Sequence, residues 1–169
     1  TYLWSDDAVG NRRNNLPDGN YNLTITDNEG CKIVYEDSIV QPNKLDIKLL
    51  NVEPARCFGN NTGIIKTQTL GGTPPYNYSW GDGGPPTENR NNLPARIYSV
   101  ILFDINGCSD TIKNILVAQP QRLDYKIDSV VNSSCFEKKD GEIFTTVFGG
   151  IAPYEFYWNG TDQFTEDVD

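Results

Sequence analysis

The chain has 169 residues, with 14 Lys and Arg against 23 Asp and Glu, a net charge of −9 and neither histidine nor methionine. The acidic balance argues against nucleic-acid binding, which relies on Lys and Arg, and no apolar run is long enough for a membrane-spanning helix. Without histidine, the Ser-His-Asp and Cys-His catalytic arrangements and imidazole zinc sites are excluded.

Short segments that alternate apolar and polar residues follow one another along the chain, and no window has the spacing of an amphipathic helix. The clearest strand candidates are residues 21–26, 45–49, 98–103 and 123–127. Residues 27–30 and 104–107 are acidic, glycine-containing turns of the kind found in hairpins, and residues 71–75 form another sharp connection. Strands at this spacing without helices predict an antiparallel two-sheet sandwich.

The sequence also repeats itself at an interval of about 77 residues. The recurring features are Asn-Asn-Leu-Pro at 14–17 and 91–94, Gly-Cys at 30–31 and 107–108, Cys-Phe at 57–58 and 135–136, and single tryptophans at 4, 80 and 158. A unit of this length can bury a small core of its own, although such a core is marginal and gains from a disulfide.

The interval predicts three units, and we expect the chain to be a segment of a longer array. Residues 1–42 are the C-terminal part of a first repeat, residues 43–120 are a complete second repeat, and residues 121–169 are the N-terminal part of a third. The joints between the repeats are short and contain proline, which is typical of semi-rigid spacers. The expected fold class is therefore all-β, with tandem antiparallel β-sandwich repeats of about 77 residues that are similar to immunoglobulin and fibronectin type III domains.

The second unit contains a fixed order of motifs, namely Cys-Phe-Gly at 57–59, Gly-Gly-Thr-Pro-Pro-Tyr-Asn-Tyr-Ser-Trp at 71–80, Asn-Leu-Pro-x-x-x-Tyr at 92–98, Asp-x-Asn-Gly-Cys at 104–108 and Gln-Pro at 119–120. This order resembles the SprB repeat of Bacteroidetes gliding-motility adhesins. Arg96 departs from the family pattern, which usually has glycine there, as Gly19 does in the first unit. Glu137 likewise replaces the glycine found at Gly59.

The resemblance implies a repeat segment of a large secreted adhesin that forms an extended filament for surface attachment and gliding motility. Its location would be extracellular, in an outer-membrane-associated filament at the cell surface. Its partners would be the type IX secretion system, the gliding machinery, and extracellular surfaces or polysaccharides. Two other functions stay open, namely a carbohydrate-binding repeat module and a non-catalytic spacer in a large secreted enzyme.

Aromatic residues have two interpretations. The Leu-Pro-x-x-x-Tyr pattern predicts the tyrosine corner of immunoglobulin and fibronectin type III sandwiches, with the Tyr21 and Tyr98 hydroxyls bound to nearby backbone. A tryptophan that recurs in each repeat is most simply a core residue. The alternative is an exposed platform that stacks on sugar rings, formed by Tyr76, Tyr78, Trp80, Tyr154 and Trp158.

An even number of cysteines at repeating positions in an extracellular module is typical of disulfides. The four are Cys31, Cys57, Cys108 and Cys135. The simplest pairing is Cys57–Cys108 within the complete repeat, with Cys31 and Cys135 pairing outside the segment. The alternative pairs Cys31 with Cys57 and Cys108 with Cys135 across the joints. The first pairing meets an objection, because the two loops lie at opposite ends of a standard sandwich and disulfide-bonded Cα atoms lie about 4.4–6.8 Å apart.

Three further positions are candidates for O-glycosylation, because Bacteroidetes modify Asp-Ser/Thr followed by an apolar residue. They are Ser38, Thr111 and Ser129. Acidic turns at 81–83, 104–106 and 140–142 offer oxygen ligands for calcium, but Asp, Asn and Gly are also ordinary hairpin residues. We expect no cofactor, with calcium as the one candidate.

Carboxylate pairs are the one catalytic arrangement that this composition leaves open. Asp6 with Asp7 and Glu166 with Asp167 could be named as the acid and base of a glycosidase. Nothing marks one carboxylate of either pair for a shifted pKa, and small repeated sandwich units seldom carry an active site. We therefore expect no enzyme activity.

Overall fold

The computed structural model describes residues 1–158, which contain eleven strands and no helix. The predicted all-β class is therefore confirmed. No helix that could span a membrane occurs within that range. The chain divides into two compact units, Thr1–Lys44 and Leu45–Asp169, and the boundaries predicted for the three repeats stay a prediction.

The first unit is one antiparallel sheet with strand order β1-β2-β3. Its strands are β1 (Tyr2–Trp4), β2 (Gly19–Thr26) and β3 (Lys32–Ile39). The β2–β3 turn is the predicted acidic hairpin, in which the Asp27 carboxylate accepts hydrogen bonds from the backbone N–H groups of Glu29 and Cys31. Trp4 pairs with Leu23 across the sheet.

The second repeat contains two antiparallel three-stranded sheets, with orders β4-β5-β7 and β6-β8-β9. The strands are β4 (Asp46–Glu53), β5 (Gly63–Leu70), β6 (Asn77–Trp80), β7 (Arg90–Leu93), β8 (Arg96–Phe103) and β9 (Ser109–Val117). Alternation along β8 places Tyr98, Val100 and Leu102 inward, at 3%, 0% and 0% exposure. They pack in one core with Ile47 and Ile65 of the facing sheet, which confirms the predicted sandwich.

The first and last strands of this repeat, β4 and β9, lie side by side and join the two sheets along one edge. The Ile47 N–H donates to the Asp110 carboxylate at 2.9 Å, and the Ala55 N–H donates to the Ala118 carbonyl at 2.8 Å. Both strands therefore run from an N-terminal pole, where the chain enters the repeat at Leu45, to a C-terminal pole, where it leaves at Ala118. This direction fixes which loops meet at each end.

The described strands of the third repeat are β10 (Asp124–Val131) and β11 (Glu142–Phe148), paired antiparallel. Their register shifts between Ile127 and Ser129, just as the β4–β5 register shifts between Leu49 and Asn51. The bulge thus recurs at the equivalent place in both repeats. This hairpin reproduces the first two strands of the complete repeat in detail.

Candidate binding and modification sites

Trp80 is a core residue of the second repeat. Its ring is 3% exposed, and its indole N–H donates to the Thr87 carbonyl at 2.8 Å. The Arg90 guanidinium lies over the ring, 5.2 Å from its centre, which adds a cation–π contact. For this repeat the prediction of a core tryptophan is confirmed. In the first repeat the Trp4 indole donates in the same way to the Gly10 carbonyl at 2.8 Å.

The loop after Trp80 is closed by a carboxylate that binds two arginines. Asp82, whose side chain is 10% exposed, accepts from both terminal nitrogens of Arg90, at 3.1 and 3.2 Å, and from Arg96 at 2.6 Å. The Arg90 hydrogen bonds, opposed only in part by burial, lower the pKa of Asp82 from 3.8 to about 2. Arg96, the departure from the family glycine, also lies 4.8 Å from the centre of the Tyr98 ring.

The same ion pair occurs in the first repeat, where Asp6 accepts from both terminal nitrogens of Arg13 at 2.6 Å. The sequence interpretation missed this pair. The signal was present, because Trp-x-Asp and Arg-Asn-Asn-Leu-Pro each occur twice, at 4–6 with 80–82 and at 13–17 with 90–94. The Asp6 carboxylate is thus held by an arginine, and the other glycosidase candidate, Glu166 with Asp167, lies outside the described residues.

The tyrosine corners are present as predicted. The Tyr98 hydroxyl donates to the Pro94 carbonyl at 2.9 Å, and the Tyr21 hydroxyl donates to the Pro17 carbonyl at 2.9 Å. Asn92, just before this segment, has φ 53°. Asparagine tolerates this left-handed conformation better than most residues, which gives a physical reason for the repeated Asn-Asn-Leu-Pro motif.

The aromatic residues of the second repeat do not form an exposed sugar platform. Tyr78 is 9% exposed and its hydroxyl shares a 2.7 Å hydrogen bond with Thr69, while the Tyr76 hydroxyl donates to the Gly71 carbonyl at 2.7 Å. Burial is the main cause that raises the pKa of Tyr78. With Trp80 also buried, stacking on a sugar in this repeat would require the core to open.

Aromatic residues of the third repeat, in contrast, line an open groove beside β10 and β11. Tyr154 and Trp158 lie there together with Tyr125 and Ile127. The Tyr154 hydroxyl donates to the Gly149 carbonyl at 2.6 Å, as Tyr76 does to Gly71. Trp158 and Tyr125 are the repeat equivalents of the core residues Trp80 and Ile47, and Tyr154 is the equivalent of the half-buried Tyr76. This part of the groove therefore corresponds to the inner face of a sandwich.

The acidic turns proposed as calcium sites hold their carboxylates in internal hydrogen bonds. Asp104 accepts from the backbone N–H groups of Asn106 and Cys108 at 2.9 Å and from that of Thr73 at 3.0 Å. Burial raises the pKa of Asp104, but these donors outweigh it and hold the pKa below its usual value. Asp140 accepts from Ser134 in a similar way. Within residues 1–158 no three Cys, Asp or Glu side chains cluster as metal ligands, and calcium binding stays a prediction.

The four cysteines are exposed, with free thiols. Cys57 follows β4 at the C-terminal pole, where the Gly59 N–H donates to the Gln119 side chain at 2.8 Å. Cys108 precedes β9 at the N-terminal pole. The nine residues of β9 separate the two poles by about 30 Å. The disulfide connectivity stays a prediction, with the two thiols of the complete repeat at opposite ends.

The three O-glycosylation candidates all lie on strands and are exposed. Ser38 is on β3, Thr111 on β9 and Ser129 beside the bulge of β10. The preceding aspartates of the first two, Asp37 and Asp110, accept hydrogen bonds from the backbone N–H of the candidate residue at 2.8 Å. All three residues are exposed, as a transferase would require, and their modification stays a prediction.

Comparison with known protein families gives one result. A family model described as the SprB repeat matches residues 49–85 and 127–163, segments that begin 78 residues apart in the second and third repeats. The structure describes the first segment completely and the second as far as residue 158. Searches of curated proteins and of solved structures return no match.

Proposed function

Because the chain belongs to the SprB repeat family, we propose that it is a filament-forming segment of a large adhesin at the bacterial cell surface. The family is a non-catalytic repeat family associated with cell-surface proteins. The proposed adhesin leaves the cell by type IX secretion, is moved by the gliding machinery and attaches to surfaces or polysaccharides. The repeats build its extended part.

The observation that carries this proposal is the path of the chain through the complete repeat. The chain enters at Leu45, next to Gly72, and leaves at Ala118, at the far end of β9. The core between these points belongs to the repeat itself, and its members include Ile65, Val100 and Val117. A unit with its own core and with its termini at opposite poles extends a filament each time it is repeated.

A direct test is labelling of intact host cells with an antibody against residues 45–120. The proposal expects labelling of living wild-type cells and loss of labelling in a strain without type IX secretion. Labelling only after permeabilisation, or unchanged labelling in the secretion mutant, would contradict it. An antibody against a cytoplasmic protein, applied to the same cells, controls for leakage.

The carbohydrate-binding alternative requires that the groove containing Tyr154 and Trp158 stays accessible in the parent protein, although Trp158 corresponds to the core residue Trp80 of the complete repeat. The test is retention of the purified chain on a panel of polysaccharides and plain surfaces, with and without calcium. Saturable retention that a soluble glycan competes away would support carbohydrate binding. Tyr154→Ala should then abolish the retention, whereas Phe136→Ala should leave it unchanged. Phe136 is a suitable control because its side chain is 92% exposed. No retention of folded protein would leave the repeats as the stalk.

A further inference from the structure

The cysteines form two classes that recur with the repeat. We call Cys57 and Cys135 the loop cysteines, because each follows the first strand of its repeat, β4 or β10. We call Cys31 and Cys108 the hairpin cysteines, because each lies in the turn before β3 or β9. All four are exposed, so the position of each cysteine in the fold, and not its burial, decides with which other cysteine it can form a disulfide.

The loop cysteine of the second repeat lies beside the departing chain. The Ala55 N–H donates to the Ala118 carbonyl at 2.8 Å, and the Gly59 N–H donates to the Gln119 side chain at 2.8 Å. These two contacts hold the loop that contains Cys57 against the first residues of the joint that follows β9.

The hairpin cysteine of the second repeat lies beside the arriving chain. Asp104, which shapes the hairpin by accepting from the Cys108 N–H, also accepts from the Thr73 N–H. Gly72 packs so closely on Leu45 that a Cβ there would lie 2.6 Å from the Leu45 side chain. The hairpin that contains Cys108 is therefore fixed beside the residue at which the repeat begins.

The joint between consecutive repeats is short. Leu123 is the third-repeat equivalent of Leu45, and four residues separate it from Ala118, a span of at most about 18 Å when extended. The Gly150 N–H donates to the Gln121 carbonyl at 2.9 Å, so the N-terminal pole of the third repeat already contacts this joint. A loop cysteine and the hairpin cysteine of the next repeat thus flank the same joint, whereas about 30 Å of β9 separates Cys57 from Cys108.

We propose that the loop cysteine of each repeat forms a disulfide with the hairpin cysteine of the following repeat. Cys57 then pairs with the hairpin cysteine of the third repeat, and Cys108 with the loop cysteine of the first. The four cysteines of this chain are not one another's partners, and each joint of the filament is covalently closed. This inference rests on the proposed function, because it requires a longer tandem array in an oxidising location.

The chemistry needs an external oxidant. One thiolate attacks the disulfide of a thiol oxidoreductase, and the resulting mixed disulfide is attacked by the second thiolate. The two cysteines lose two protons and two electrons and form one S–S bond, while the oxidoreductase leaves as the dithiol. The exposure of both thiols suits this exchange.

The experiment is peptide mapping of the parent protein purified from its host. Free thiols are alkylated in the native state, the protein is digested without reduction, and linked peptides are identified by mass spectrometry. The expected result is a Cys57 peptide linked to the hairpin peptide of the third repeat. A Cys57–Cys108 or Cys108–Cys135 linkage, or alkylation of all four cysteines, would overturn the proposal.

Two variants of the parent protein sharpen the result. Cys57→Ser is expected to add one alkylated cysteine, on the hairpin of the third repeat, and to leave Cys108 linked. Cys108→Ser is expected to add one on the loop of the first repeat, whereas Ser109→Ala adds none. If Cys57→Ser instead frees Cys108, the bridge lies within the repeat. Surface labelling of the same cells distinguishes failure of the disulfide proposal from failure of the proposed function. Free thiols on protein displayed at the surface would overturn only the disulfide proposal. Protein found only inside the cell would overturn the proposed function.

Discussion

Asp82 and Arg90 meet in a two-point ion pair at 3.1 and 3.2 Å, with side chains only 10% and 8% exposed. The Arg90 guanidinium also covers Trp80, so a single arginine connects the loop after β6 to the core. A planar, forked cation is needed for both contacts, which lysine could not make together.

The Asp82 pair predicts a loss of stability in acid. The pKa of Asp82 is about 2 in the folded protein, against an ordinary value of 3.8. Because the pKa is lowered by folding, the ionised carboxylate stabilises the fold by about 2 kcal/mol above about pH 4. This contribution is lost as the pH falls toward 2 and the carboxylate becomes protonated. Asp82→Asn should lower the urea midpoint at pH 7 and narrow the difference between pH 7 and pH 2.5. Asp6→Asn, at an exposed pair, is the matched control, and equal pH profiles for wild type and Asp82→Asn would contradict the prediction.

Trp80→Ala should destabilise the second repeat by about 3–5 kcal/mol, because it leaves a cavity and an unpaired Thr87 carbonyl. Chemical denaturation followed by circular dichroism measures the change. Phe136→Ala removes a side chain of a residue that is 92% exposed and should change the free energy of unfolding by less than about 0.5 kcal/mol. Similar effects of the two substitutions would mean that Trp80 is not a core residue in solution.

The tyrosine corner predicts that Tyr98→Phe costs about 1 kcal/mol, because only the hydrogen bond to the Pro94 carbonyl is lost. The ring keeps its buried position, so the variant should stay folded with unchanged far-ultraviolet dichroism. Tyr98→Ala, which also removes the ring, should cost several times more. An unchanged unfolding midpoint for Tyr98→Phe would show that the hydroxyl contributes nothing.

Because Asp104 connects two loops at the N-terminal pole, its substitution should weaken the structure locally. Asp104→Asn weakens three hydrogen bonds from backbone N–H groups and should cost about 2 kcal/mol. Hydrogen exchange should show reduced protection of the Thr73 and Cys108 amides. Asp27→Asn changes the equivalent turn of the first repeat, and the amide protection of this variant is compared with that of Asp104→Asn. Unchanged protection at Thr73 would mean that the carboxylate does not connect the two loops.

The architecture was accessible from the sequence because its signals are local or repeated. Alternation along β8 and the tyrosine corner depend on neighbours within a few residues, and the interval of the motifs revealed the repeat. The Asp82–Arg90 pair was missed, since charges eight residues apart in a loop carry no periodic signal. Only comparison of the two copies would have found it. The family departure at Arg96 likewise gained meaning only from its contacts with Asp82 and Tyr98.

The cysteines show a different limit. The sequence predicts their oxidation from number and spacing, but their pairing depends on which ends of the repeat they occupy. That placement follows from the parallel arrangement of β4 and β9, which lie side by side but belong to different sheets. No local sequence pattern predicts this arrangement. The groove of the third repeat could not be predicted from local sequence for the same reason. Whether Trp158 is a core or a surface residue depends on the strands that pack against β10 and β11.

The side-by-side arrangement of β4 and β9 has a mechanical consequence. In a filament whose joints are not closed by disulfides, tension pulls Leu45 and Ala118 apart along the direction of both strands. The hydrogen bonds at Ile47 and Ala55 then bear the force in shear and must break together, not one after another as in a peeled hairpin. Forced unfolding is governed by the rate of crossing this barrier. The repeat is thus built to resist stretching along its axis far better than its modest core alone would allow.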